Sequence, residues 1–156
     1  MEWLVNDALP VLARIFIVWI FPFSFLDKVI NWKHAVAQAE SSWVPGAKVL
    51  LVLAAICELV TPPMIVFHFY DGIAAFVLAG YCVLTAVLYH NFWSYPRFWS
   101  PDSEGYPHIW DFFKNFAIVG GLIFVMYQAG FIQATATDIE DAASLTPPAS
   151  VSQLGG

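Results

Sequence analysis

The chain reads as an all-α integral membrane four-helix bundle. Three observations carry this. The sequence is 60% hydrophobic and 12% charged, where a soluble globular domain is roughly 25% charged. Its mean hydropathy is +0.68 over 156 residues. Its apolar residues gather into four stretches of about 20 residues, the length that crosses a hydrocarbon core about 30 Å thick. The formal net charge of −6 argues against nucleic acid as a partner.

The first span is predicted over residues 9–30. Pro10 suits a first helical turn, whereas Pro22 sits inside and predicts a kink, because it has no amide to donate to the carbonyl of Val18. Glu2 and Asp7 make the N-terminus acidic, unlike the basic start of a signal peptide. The first apolar segment is therefore expected to stay as a helix. Arg14 and Lys28 lie fourteen residues apart, on nearly one face and about 21 Å apart along the axis. The polar stretch that follows, with Trp32, Lys33, His34, Glu40 and Trp43, is expected to form a short interfacial helix anchored by its tryptophans.

The second span is predicted over residues 47–69 and carries the most unusual feature. Glu58 lies near its middle, followed by Pro62 and Pro63. These prolines leave the carbonyls of Glu58 and Leu59 without their helical donors. An acid and two orphan acceptors at one depth of a bilayer are costly and mark a site to inspect. Asp71-Gly72 is a tight turn, and the third span follows over 72–92, ending in His90-Asn91-Phe92-Trp93. The loop to Trp110 holds Tyr95, Phe98, Trp99 and Tyr106 and reads as an interfacial aromatic belt.

The fourth span is predicted over 111–131. Its Gly120-Gly121 pair predicts a close approach of another backbone. Residues 1–132 thus form the transmembrane domain, and 133–156 an acidic tail expected to be flexible. More Lys and Arg fall on the side of Lys28, Lys33, Lys48, Arg97 and Lys114 than on that of Arg14. The positive-inside rule then puts both termini outside.

Helix rise places Asp27, Lys28, His90, Asp111 and Lys114 in one layer, with Glu58 about two to three turns deeper and Arg14 shallow on the far side. The functional reading is a polar pocket open to lipid and able to take a quinone head group. Lys28 or Lys114 would polarise a quinone oxygen, and His90 or Glu58 would move protons. The bland reading is internal neutralisation through Arg14–Glu58 and Asp27–Lys28 pairs. A haem is not expected. His68 and His90 end on opposite faces, and His34 and His108 are read as loop residues. No Cys or His spacing suggests a metal, and Cys57 and Cys82 read as buried packing thiols.

The ordered set Arg14…Lys28, Glu58, His90-x-x-Trp93 and Phe113-Lys114-Asn115…Gly120-Gly121 resembles the DoxX family of small four-helix bacterial membrane proteins. The likeness runs from about Leu9 to Phe131. It implies a bacterial inner-membrane location, family-matching polar positions at Arg14, Lys28, Glu58, His90 and Lys114, and a link to quinone-dependent oxidoreductases. The expected function is a membrane subunit of a quinone-linked oxidoreductase complex that anchors redox partner subunits. It is not expected to be a complete enzyme, since no flavin, haem or metal motif is present. The alternative is a non-catalytic membrane anchor or assembly protein whose intramembrane charges are structural. A transporter with Glu58 as carrier is weaker, because four helices without an inverted repeat lack the usual architecture.

Overall fold

A computed structural model describes residues 1–40 and 45–145. After a π-helical turn at Leu4–Ala8 come α1 (Leu9–Val18), α2 (Ile20–Ile30), α3 (Trp32–Glu40), α4 (Ala47–Val66) and α5 (Asp71–Tyr89). A 3-10 turn at Phe92–Ser94, α6 (Gly105–Gln128) and α7 (Phe131–Leu145) follow among the described residues. Among the described residues there is no strand. Four stretches, Leu4–Ile30, Ala47–Val66, Asp71–Ser94 and Gly105–Gln128, are long and apolar enough to cross a membrane.

The prolines differ in their effect. α1 gives way to α2 at Trp19, three residues before Pro22. The backbone of Trp19 nevertheless stays helical, with φ −53° and ψ −37°. α4 runs straight through Pro62 and Pro63. The Thr61 hydroxyl donates to the Cys57 carbonyl at 2.8 Å in the same turn.

The core forms around α5, which packs against both α4 and α6. Its buried residues Ala75, Ala79, Cys82 and Ala86 recur at intervals of four, three and four, one stripe of a 3.6-residue helix. Small side chains let neighbouring helices approach closely, which matters in lipid, where the hydrophobic effect no longer drives association. Ile65, Leu78, Leu122 and Val125 fill the centre, with Val18 and Phe21 closing it from the first span. Phe16, Phe23, Leu53, Phe76, Leu84 and Phe124 face outward, as expected of surfaces solvated by acyl chains. The paired glycines do not meet a second backbone: Gly121 instead receives the Ile17 side chain from α1. A Cβ there would lie 3.1 Å from Cγ1 of Ile17, whereas Gly120 has nothing within 4 Å.

Several segments differ from the sequence expectation; α4 and α5 end at Val66 and Tyr89 rather than at 69 and 92. α6 begins at Gly105 rather than near 111, so Tyr106, His108 and Trp110 are helical. The Ser103 hydroxyl accepts from the Gly105 amide at 3.2 Å, and Pro107 falls in the first turn, where its missing amide is harmless. α3 does form a helix, but Ala35 and Ala39 bury themselves on Ala47 and Leu51 of α4. Trp43 lies outside the described residues. The tail was expected to be flexible from 133, yet residues 131–145 are helical. This segment carries Ala134, Ala136, Ala142 and Ala143, strong helix formers. Gly130, at φ 70°, turns the chain out of α6. Phe131 then seats against Gly72, where a Cβ would lie 2.6 Å from its Cβ.

Candidate functional site

The polar side chains singled out by the sequence fall into three separate clusters, two of them centred on a buried charge, Glu58 and Arg14. The central one surrounds Glu58, which is 1% exposed. Lys28 reaches it from α2, placing Nζ 2.8 Å from Oε1 and 2.9 Å from Oε2. Ser24, one turn earlier on the same face, donates to Oε1 at 2.9 Å and accepts from Lys28 Nζ at 2.7 Å. Tyr81 completes the cluster from α5, its hydroxyl donating to Oε1 at 2.6 Å. Three helices thus converge on one carboxylate. Charge-assisted bonds of this length are about twice as strong as neutral ones. The Lys28 side chain is 18% exposed, against 2% for that of Glu58.

The expected depths placed Lys28 two to three turns from Glu58, and they are wrong. That reckoning assumed that every span ends at one level. Instead α2 stops two residues after Lys28, level with the middle of α4, and α3 covers the first part of α4.

The second cluster holds Arg14, which is 3% exposed. It does not pair with Glu58. Nη1 donates to Asp71 Oδ2 at 2.7 Å and to the Ile65 carbonyl at 3.1 Å. The Phe69 amide, which would serve Ile65 in a continuing helix, bonds Met64 O at 2.9 Å instead, so the Ile65 carbonyl is free for the guanidinium. Asp71 Oδ1 also accepts from the Gly72 amide at 3.0 Å, and its charge sits at the N-terminus of α5, where an anion is favoured. His68 lies beside it, Nδ1 3.3 Å from Oδ2. His68 and Tyr70 both have positive φ, 57° and 50°, a strained turn held by these contacts.

Arg14 lies on α1 and Lys28 on α2, so the first span is tied to the start of α5 through Asp71 and to the middle of α4 through Glu58.

The third cluster lies at the other end of α5. His90 and His108 bring their Nδ1 atoms to 3.2 Å. Asp111 Oδ2 stands 3.9 Å from His90 Nδ1, and Tyr95 stacks on His108 at a centroid distance of 5.1 Å. Lys114 bonds Asp111 Oδ1 at 3.2 Å, but its side chain is 70% exposed. Nor does Asp27 pair with Lys28; it is exposed and accepts from Asn31 Nδ2 at 2.7 Å. On α5, Tyr81 and His90 are nine residues apart and so face opposite sides.

The structure therefore joins Lys28 and Glu58, but sets Arg14, His90 and Lys114 apart from them. Ser24, Tyr81 and Asp71 were missed. Ser24 had a signal in its spacing, four residues before Lys28. Tyr81 stands in the small-residue run Gly80-Tyr81-Cys82, a place where a hydroxyl needs an internal partner.

The DoxX family model matches residues 9–91, from the start of α1 to just past the end of α5. The chain belongs to the DoxX family. The matched region contains Arg14, Ser24, Lys28, Glu58, Asp71, Tyr81 and His90; His108, Asp111 and Lys114 lie beyond it. The chain is also similar to the inner membrane protein YphA of Escherichia coli K12. The two are 26% identical over 118 residues, which cover 76% of this chain and 81% of that protein. No solved structure gives a significant match. With four helices able to span a membrane, this DoxX-family chain is a multi-pass membrane protein.

Proposed function

We propose that this DoxX-family chain is the membrane subunit of a quinone-linked oxidoreductase complex in the inner membrane. In this reading the Lys28–Glu58–Ser24–Tyr81 cluster receives the quinone head group. The observation that carries the proposal is a four-residue polar cluster inside apolar helices, in which Lys28 keeps partial exposure while Glu58 is buried. The donor set suits such a ligand. An ammonium and two hydroxyls match a head group with two carbonyl oxygens, and the apolar outer faces of α1, α2 and α4 suit its tail. A quinone, when bound, accepts two electrons and two protons, the electrons coming from a partner subunit.

The residues divide the work. Lys28 Nζ turns from Ser24 toward the ligand and polarises its oxygen. Glu58 holds Lys28 in place. Tyr81 and Ser24 donate to Glu58 and relay protons along bonds already formed. The test is to purify the native complex and to analyse bound lipids and partners. The proposal expects quinone and a redox subunit to copurify, and Glu58→Gln to slow electron transfer. Absence of both, with turnover unchanged in Glu58→Gln, would defeat it.

A second reading rests on a specific observation. Both Glu58 oxygens are already bonded inside the chain. The cluster then acts as a structural clamp, and the protein is a membrane anchor or assembly factor. That reading predicts lower yield of Glu58→Gln with normal turnover in the complex that survives.

A further inference from the structure

We propose that His90 and His108 bind a divalent transition-metal ion of the zinc type through their Nδ1 atoms, with Asp111 swinging in as the third ligand. Zinc–imidazole bonds of about 2.0–2.1 Å put neighbouring nitrogens of a tetrahedral site about 3.3 Å apart. The two Nδ1 atoms are 3.2 Å apart. As placed, no three His, Cys, Asp or Glu among the described residues form a ready-made metal group. The carboxylate is the part that falls short. Its Oδ2 lies 3.9 Å from His90 Nδ1, so a modest turn of the Asp111 side chain closes the gap.

Several features favour a cation between the rings. A direct Nδ1–Nδ1 hydrogen bond requires one ring to carry its proton on Nδ1 and the other to carry it on Nε2. A shared ion lets both rings keep the proton on Nε2. Lys114 holds Asp111 by Oδ1, leaving Oδ2 toward the histidines. His90 caps the C-terminus of α5, its amide bonding the Ala86 carbonyl at 3.1 Å, and that end of a helix favours positive charge. Asp111 is 41% exposed, which gives an ion a way in. His108 and Asp111, three apart on α6, share a face. The bound ion would tie the end of α5 to the first turns of α6 across the loop 91–104.

The test uses the full chain in detergent, freed of any histidine tag, titrated calorimetrically with zinc. The expected result is one ion per chain. His90→Ala and His108→Ala each weaken binding at least ~100-fold, and Asp111→Asn weakens it about tenfold. Absence of saturable zinc uptake, or uptake unchanged in the His90→Ala/His108→Ala double variant, overturns the proposal. If those variants do not fold, the unaltered protein decides it through carbethoxylation of histidines, read by peptide mass spectrometry. Zinc should shield His90 and His108 while the exposed His34 and His68 stay reactive. Equal labelling of all four with and without zinc would show that the pair is only a hydrogen bond.

Discussion

Replacing Lys28 with methionine removes the cation from a carboxylate that water cannot reach. Glu58 is 1% exposed, so the stranded charge keeps only the Ser24 and Tyr81 hydroxyls, at 2.9 and 2.6 Å. Breaking a buried pair from one side costs about 3–5 kcal/mol, because the remaining charge is uncompensated. Lys28 keeps some exposure, which places the expected loss at the low end, about 3 kcal/mol. Removing both partners should cost less than removing Lys28 alone. Lys28→Met/Glu58→Met leaves no charge to desolvate, and apolar replacement of a buried pair is often neutral. Ser24 and Tyr81 then lose an acceptor, worth about 1 kcal/mol each. A double-mutant cycle, read by reversible unfolding in mixed micelles, should give a coupling of at least about 2 kcal/mol. If Lys28→Met costs under about 1 kcal/mol, or the double variant costs the sum of the singles, the clamp is not as the geometry implies.

Other perturbations test the remaining contacts. Tyr81→Phe deletes one charge-assisted bond and should cost about 1.5–3 kcal/mol in the same unfolding assay, while leaving helix content by circular dichroism unchanged. Asp71→Asn leaves the buried guanidinium of Arg14 without its counter-charge. It should cost at least about 2 kcal/mol and loosen the α4–α5 turn, read as faster hydrogen exchange at residues 67–72. Gly72→Ala drives a methyl to 2.6 Å from the Cβ of Phe131. It should cost about 1–3 kcal/mol, strip exchange protection from α7, and be partly rescued by Phe131→Ala.

The fold was legible because lipid imposes strict rules on sequence. Span length and the break before Pro22 followed from backbone chemistry, whereas the glycine pair meets the Ile17 side chain and not a second backbone. Glu58 stood out for the same reason: an acid in the middle of an apolar helix needs an account. Its partner was harder to place, since depth counting treats each span as a full crossing. A helix that ends midway, with a short helix covering the remainder, moves Lys28 onto Glu58 without any local signature. Asp71 looked like a turn residue because its sequence neighbours form one, and its bond to Arg14 spans 57 positions. His108 was hidden by a boundary error: reading 105–110 as loop removed it from the helix that aims it at His90. Alanine content in the tail outweighed its polarity up to residue 145.

The most direct measurement of the central claim is photolabelling in native membranes with an azido-quinone, followed by peptide mapping. The account predicts that label concentrates on Ile20–Ile30 near Lys28, is displaced by unmodified quinone, and falls sharply in Lys28→Met. Label spread evenly over the outward-facing residues of all four spans, and indifferent to competitor, would contradict it.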